Sequence, residues 1–318
     1  MRRPFLAALA AVALAGCAGD DDEAATTTQA TQATSPAPST TLFEFQRGAP
    51  LGYRRGRLAN RDYPIKIYDV SYASPRGGRV TGSLAVPPGE GPYPAVVYLH
   101  GSGGSRLDML APATYLAGRR AVTLSIDSPY ARRPAPRVPR GIAGVRRQRD
   151  LDVQSVVDVR RAIDVLQSLP QVDDDRVGFV GFSAGGKIGA IAVGVEPRIR
   201  AAVLMSAGAP AIGPFVAAAP ENVRAEVGRL LGDIDPRRYV GDSDAAILIQ
   251  FGEQDEVVPQ AELEALGEAA RDATVLGYPG GHATITNARV IRDQLDFLDQ
   301  ELEIRGEPVP GALTDPPR

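Results

Sequence analysis

Asp175-Arg176-Val177-Gly178-Phe179-Val180-Gly181-Phe182-Ser183-Ala184-Gly185-Gly186-Lys187 is the stretch whose reading decides the fold. Val177, Phe179 and Val180 make a short apolar run suited to a strand, and the residues from Ala184 to Val195 are small and aliphatic, suited to a tightly packed helix. No connecting segment separates the two. At the join, Gly181-Phe182-Ser183-Ala184-Gly185 fits G-x-S-x-G, in which a serine stands on a tight strand-to-helix turn and the glycines let strand and helix approach closely. A serine so placed is a candidate nucleophile, because the helix behind it aims its N-terminal amides and positive dipole end toward the hydroxyl.

On either side of this join, strand and helix candidates alternate. Residues 65–72 and 79–86 flank Pro75-Arg76-Gly77-Gly78 and predict a hairpin. Ala95-Val96-Val97-Tyr98-Leu99 is continuously apolar, as expected of a strand covered on both faces. Strands are predicted at 121–126, 177–180, 201–205, 245–251 and 273–278, and helices at 150–169, 184–195, 259–271 and 284–302. The alternation predicts an α/β fold, a mostly parallel twisted sheet with helices on both faces. Two segments interrupt it. Residues 129–149 hold seven arginines and no acid, an irregular basic loop that a substrate carboxylate would suit. Residues 206–244 are longer than a normal connection and carry Val223, Val227, Leu230 and Leu231 at helical spacing, which predicts a helical, cap-like insertion. Phe215 within it is a candidate pocket residue, favouring short acyl groups.

The first residues lie outside this pattern. Arg2 and Arg3 precede an apolar run from Phe5 to Leu14, too short for a stable membrane span and suited to an export signal. Leu14-Ala15-Gly16-Cys17 matches a bacterial lipobox, which makes Cys17 the candidate lipidation site and residues 1–16 the signal peptide. Residues 17–41 contain almost no aliphatic side chain larger than alanine and read as a disordered tether, leaving 42–318 as the catalytic domain. The expected location is the extracytoplasmic face of the cell membrane, held by lipid. Cys17 is the only cysteine, so the folded domain has no intrachain disulfide, thiolate metal cluster or cysteine nucleophile. With 35 basic and 38 acidic side chains, the net charge of −3 points to no nucleic acid partner. Only Lys66 and Lys187 are lysines, so isolated arginines carry little meaning.

A serine hydroxyl needs a base at neutral pH, normally a histidine held by a carboxylate. The chain has two histidines. His100 opens His100-Gly101-Ser102-Gly103-Gly104 directly after a strand candidate, a glycine-rich loop suited to presenting backbone N–H groups to a ligand. His282 follows the last strand candidate in Tyr278-Pro279-Gly280-Gly281-His282, and is the candidate base. His100 is expected to hold its loop. Gly252-Glu253-Gln254-Asp255-Glu256 follows the 245–251 strand and offers three acids, of which Asp255 is the preferred partner, giving the order Ser183, Asp255, His282.

From about residue 63 to 302 the chain resembles an α/β-hydrolase of the broad group containing dienelactone hydrolases, acetyl xylan esterases and prolyl oligopeptidase-like catalytic domains. The resemblance rests on His100-Gly101-Ser102-Gly103-Gly104, the run from Val172 through Gly186, and Gly252-Glu253-Gln254-Asp255 with the later Gly281-His282. It implies that Ser183 is the nucleophile, Asp255 the orienting acid and His282 the base, with the N–H groups of Ser102 and Ala184 as the oxyanion hole and Gly101 and Gly103 near the substrate. The departures narrow the choice: dienelactone hydrolases proper use cysteine at the position of Ser183, and oligopeptidases carry a propeller absent here. The expected function is hydrolysis of a small-molecule carboxylic ester without cofactor or metal. Amide or peptide hydrolysis uses the same machinery, and a silent ligand-binding lipoprotein is the alternative from another class.

Overall fold

The computed structural model describes residues 40–60 and 62–317, which fall within one compact unit. Strands β1 (Arg54–Leu58), β2 (Lys66–Ala73), β3 (Arg79–Val86) and β4 (Tyr93–Leu99) lead to helix α1 (Leu110–Gly118) and strand β5 (Val122–Ile126). Helix α2 (Ile142–Gln167), strand β6 (Val172–Phe182), helix α3 (Ala184–Val195) and strand β7 (Ile199–Met205) follow. Three short helices, α4 (Ile212–Ala218), α5 (Arg224–Gly232) and α6 (Arg237–Val240), precede β8 (Ala246–Gly252), α7 (Gln260–Ala269), β9 (Thr274–Tyr278) and α8 (Ala288–Glu301).

The nine strands make one sheet in the order β1-β2-β3-β5-β4-β6-β7-β8-β9. The first three pair antiparallel, β3 pairs antiparallel with β5, and the rest are parallel. The strand order reverses between β4 and β6, since β5 lies on one side of β4 and all later strands on the other. In open α/β sheets the carboxyl ends at such a reversal are where loops diverge and a crevice forms. Here those ends carry His100-Gly101 after β4 and Ser183 after β6, and the pairing of Leu99 with Gly181 places them side by side.

Both faces of the sheet are buried, which accounts for the unbroken apolar runs. Ala95, Val97 and Leu99 of β4 join Phe179 of β6 and Leu204 of β7 in one core with residues of α2 and α3. Val96, Tyr98, Val180 and Val203 point to the opposite face and pack with residues of α1 and α8. The hairpin expected at 65–86 is β2 and β3, joined through the pairing of Ala73 with Arg79.

Three elements depart from the expectations. The edge strand β1, Arg-Arg-Gly-Arg-Leu, has a mostly exposed, non-alternating sequence, so its pairing with β2 supplies what its pattern does not. Helix α1 has too little polar contrast for a helical stripe to stand out. Helix α2 begins at Ile142, inside the stretch read as an irregular basic loop. Its first turns are secured from outside: Arg146 Nε pairs with Glu226 Oε1 at 2.6 Å and Arg149 Nη2 with Asp233 Oδ2 at 3.1 Å.

The join between β6 and α3 is close-packed against the end of β4. A Cβ on Gly185 would lie 2.3 Å from Leu99 O and 2.7 Å from His100 O, while one on Gly181 would lie 2.4 Å from Gly185 O. Only glycine permits that approach. Gly185→Ala is therefore expected to destabilise the fold by about 1–3 kcal/mol, the range for overpacking a close-packed interior. Urea unfolding of the purified domain reads this as a lowered midpoint; an unchanged midpoint would mean that the β4 end gives way without cost.

Candidate active site

Ser183 ends the strand and caps the helix at φ 54° and ψ −117°, in the positive-φ region that a non-glycine residue adopts at a cost of order 1–3 kcal/mol. Its backbone is pinned on both sides: its N–H donates to Met205 O at 2.7 Å, and its carbonyl accepts from Lys187 N at 3.0 Å. The side chain is left free to face the crevice.

Asp255 and His282 come from the loops after β8 and β9. The Asp255 side chain is 1% exposed, and its Oδ1 accepts from the backbone N–H groups of Val257 at 2.8 Å and Val258 at 2.9 Å. The other oxygen, Oδ2, lies 2.7 Å from His282 Nδ1. A carboxylate is an acceptor only, so Nδ1 carries the ring proton and donates it, which leaves Nε2 as an acceptor. Nε2 lies 2.9 Å from Ser183 Oγ, whose hydroxyl donates to it. Glu253 and Glu256, the other acids in this loop, are exposed, and neither bonds to the histidine.

Further contacts hold the two loops in register. Gln254 N–H donates to Gly280 O at 2.9 Å, and Gly280 N–H returns to Gln254 Oε1 at 2.6 Å. Buried Ser206, at φ 46°, donates from Oγ to His282 O at 3.1 Å and lies 2.9 Å from Thr284 Oγ1. Gln254 and Ser206 brace the two loops, a role to which the sequence reading assigned neither. The one available signal was a polar residue directly after the apolar β7.

The loop after β4 is braced from β5. Buried His100 accepts from Ser128 N–H at Nε2, 3.1 Å away, so its proton sits on Nδ1 and is donated to Gly101 O at 2.7 Å. At the far end of the loop, Arg106 N–H donates to Asp127 Oδ1 at 2.8 Å, and Arg106 Nη1 pairs with Asp127 Oδ2 at 2.7 Å. Thr81 Oγ1 also donates to Oδ2, at 2.6 Å. Burial alone would raise the Asp127 pKa, but the donors on Arg106 and Thr81 outweigh it and hold the carboxyl below the usual value. The N–H groups of Ser102, in this loop, and of Ala184, the first residue of α3, donate to no other group among the described residues. Ala184 directly follows Ser183, and Ser102 directly follows Gly101, where a Cβ would lie 3.1 Å from Ser183 Cβ.

A cavity of about 590 Å³ is bordered by Gly101, Ser102, Phe182 and Ile285; Ser183 and His282 are not in its wall, but a Cβ on Gly101 would lie 3.1 Å from Ser183 Cβ. A second, of about 810 Å³, is lined by Gln254, Glu256, Val257 and residues 278–284. Gly101 thus borders a cavity as expected. Gly103 borders neither, and its φ of 73° shows its place to be in turning the loop. Phe215 also lines neither cavity: it is 42% exposed on α4, a helix without a buried residue. The 206–244 segment contacts α2 and α3 through α5 and α6, which is how Val227 and Leu230 become buried. Of the arginines at 129–149, Arg132 pairs with buried Asp158, and Arg146 and Arg149 are engaged as described above, so these three are structural. Cys17 lies outside the described residues.

Asp127→Asn tests the brace. Because the folded-state pKa is lowered, its contribution is present above the unfolded value near 3.8 and disappears as pH falls through the lower folded value. The variant should be less stable than the wild type at neutral pH, with the gap in denaturant midpoint closing in acid. A gap that does not change with pH would remove the charge from the explanation.

Comparison with known proteins places this geometry in a family context. The acetyl xylan esterase (AXE1) family model matches residues 55–207, and the serine hydrolase (FSH1) model matches residues 145–293. The model of the prokaryotic membrane lipoprotein lipid attachment site matches residues 1–18. Esterase FrsA of Enterobacter sp. (strain 638) is 27% identical over 158 residues, 47% of this chain and 35% of that protein. Acyl-coenzyme A thioesterase 3 of Mus musculus is 30% identical over 139 residues, 43% of this chain and 28% of the relative. The chain therefore spans about a third of the length of these curated relatives. Among solved structures, an acetyl xylan esterase from Paenibacillus sp. R4 superposes with a TM-score of 0.69 at 23% identity, covering 82% of this chain and 91% of that one. Taken with the sheet order and the serine at the strand-to-helix join, these matches show that the chain has the α/β-hydrolase fold, is similar over just under half its length to each of the two esterase and serine hydrolase families, and matches a lipoprotein lipid attachment site over its first 18 residues.

Proposed function

We propose that the chain is a serine hydrolase that cleaves a small carboxylic ester through an acyl-enzyme, with Ser183 as nucleophile, His282 as base and Asp255 as its orienting acid. The observation that carries this reading is the continuous hydrogen-bonded line from Ser183 Oγ through both ring nitrogens of His282 to Asp255, at 2.9 and 2.7 Å. Ser183 Oγ attacks the ester carbonyl carbon as His282 Nε2 takes its proton, and the buried Asp255 carboxylate stabilises the imidazolium. The carbonyl oxygen gains a negative charge, met by the N–H groups of Ser102 and Ala184. Collapse of the tetrahedral intermediate breaks the bond to the alcohol oxygen, which leaves with the proton from Nε2. Water then repeats the sequence on the acyl-enzyme, releasing the acid and restoring the serine.

The lipid attachment site supports export with a diacylglyceryl-type anchor on Cys17, holding the domain at the extracytoplasmic membrane face. One acyl chain gives only marginal membrane binding at about 0.8 kcal/mol per buried CH₂, so several chains on one cysteine make a stable anchor. Cys17→Ala should move the protein out of the membrane fraction or leave it unprocessed. A wild-type protein found wholly in the soluble fraction, with no lipid mass on its N-terminal peptide, would refute the anchor.

Ser183→Ala and His282→Ala should each lower kcat on an activated ester by a factor of order 10⁶, and the double variant should be little worse, since the two act as one unit. Asp255→Asn should cost less, of order 10⁴. Fluorophosphonate labelling of the wild type and its loss in Ser183→Ala gives an independent reading. Near-normal turnover by folded Ser183→Ala would sink the mechanism.

A further inference from the structure

The 590 Å³ cavity has a wall from an unexpected part of the chain. Beyond the serine-side residues, Ala111, Pro112 and Tyr115 of α1 and Ala288 and Ile291 of α8 line it, and Pro316 and Pro317 close it. These two prolines lie past the last helix, in a segment with no regular secondary structure. The segment is nonetheless firmly seated. Val309 is buried and its N–H donates to Gly118 O at 2.8 Å; Leu313 N–H donates to Tyr63 Oη at 2.7 Å. Arg119, at the end of α1, donates from Nε to Thr314 O at 3.0 Å and from Nη2 to Asp315 Oδ1 at 2.5 Å. That guanidinium is itself held by Asp299 of α8 at 2.6 Å. The anchors end one residue before Pro316, which is buried, while Pro317 is exposed at the margin of the cavity.

Two consecutive prolines suit a wall of this kind. Each fixes its own φ and neither has a backbone N–H, so the pair is stiff and offers the cavity no donor. The remaining lining is mostly aliphatic and aromatic. Its one charged member is Asp108, an exposed carboxylate that accepts from Ser105 N–H at 3.0 Å; no lysine or arginine lines the space. Such a site accepts a neutral apolar group of bounded size and opposes a carboxylate.

We propose that Pro316 and Pro317 form a specificity-determining wall of the substrate cavity, setting the size of the uncharged ester substituent it admits. This rests on the ester-hydrolase reading above. It replaces the expectation that Phe215 and the 206–244 segment set substrate size.

The test uses the full chain and two series: p-nitrophenyl esters from acetate to octanoate, and acetates of alcohols from methyl to octyl. In the double variant Pro316→Gly/Pro317→Gly, the kcat/KM ratio of large to small substituents should rise about tenfold in one of the series, a shift within what a hydrophobic pocket discriminates. Pro317→Phe, at an exposed position, should move the same ratio the other way, and carries the test if the glycine variant does not fold. Butyrate should be preferred over a succinate monoester, which adds a free carboxylate, and Asp108→Asn should narrow that preference. Profiles that overlay the wild type in both series, with hydrolysis still dependent on Ser183, would overturn the wall and leave the mechanism standing. No Ser183-dependent turnover of any member would overturn both.

Discussion

Strand β6 passes into helix α3 with no residue to spare, and the space at that corner is so small that a single methyl group at Gly185 would collide with the backbone of β4. The serine side of the site follows from this contact. It forces Ser183 into a positive φ, so the side chain leaves the strand axis and faces the crevice. It also draws the end of β4 against the start of α3, which brings the loop that follows His100 beside the serine. Ser183 and the backbone of the glycine-rich loop beside it are therefore placed by one packing constraint. The cost in backbone strain is offset by the two hydrogen bonds on Ser183 and by the buried sheet behind it.

Asp255 and His282 are delivered differently. Neither sits in a regular element; each lies in a short loop after a strand, where backbone donors are unpaired and free to bind side chains. Asp255 takes two of these donors on one oxygen, so its orientation is decided before the histidine arrives. The histidine then has a single way to satisfy both nitrogens, and its tautomer follows from the carboxylate. His100 shows the same logic with the opposite result. An N–H from Ser128 occupies its Nε2, its Nδ1 proton is spent on Gly101 O, and it has no free nitrogen with which to act as a base. The two histidines are distinguished by which atoms their neighbours leave open.

Much of this was legible in the sequence because the residues involved have narrow uses. Glycines at 181 and 185 around a serine, a glycine-rich loop after an apolar strand, and an acid and a histidine after successive strands are each explained by close approach or by loop position. The central strands were equally plain, since burial on both faces leaves continuous apolar runs. What could not be read was set by partners distant in sequence. The start of α2 depends on Glu226 and Asp233, β1 depends on β2, and the cavity wall depends on residues 309–317 finding α1. Phe215 was a reasonable choice by position along the chain, but the α4 helix turns it to solvent. Ser206 carries no motif, Gln254 lies inside one without its bond to Gly280 being readable there, and the role of both appears only where the loops meet.

The ion pairs that hold α5 to the start of α2 differ in kind from the contacts that hold the relay. Arg146 is more than half exposed and Glu226 is partly so, whereas the Asp255 carboxylate is sealed from solvent. Salt at about 1 M shortens the screening length to roughly 3 Å, which weakens exposed pairs and spares buried ones. The molecule therefore has two electrostatic regimes. At such ionic strength the exposed Arg146–Glu226 pair loosens the hold of α5 on the start of α2, while the spacing of serine, histidine and aspartate is governed by packing and stays as it is.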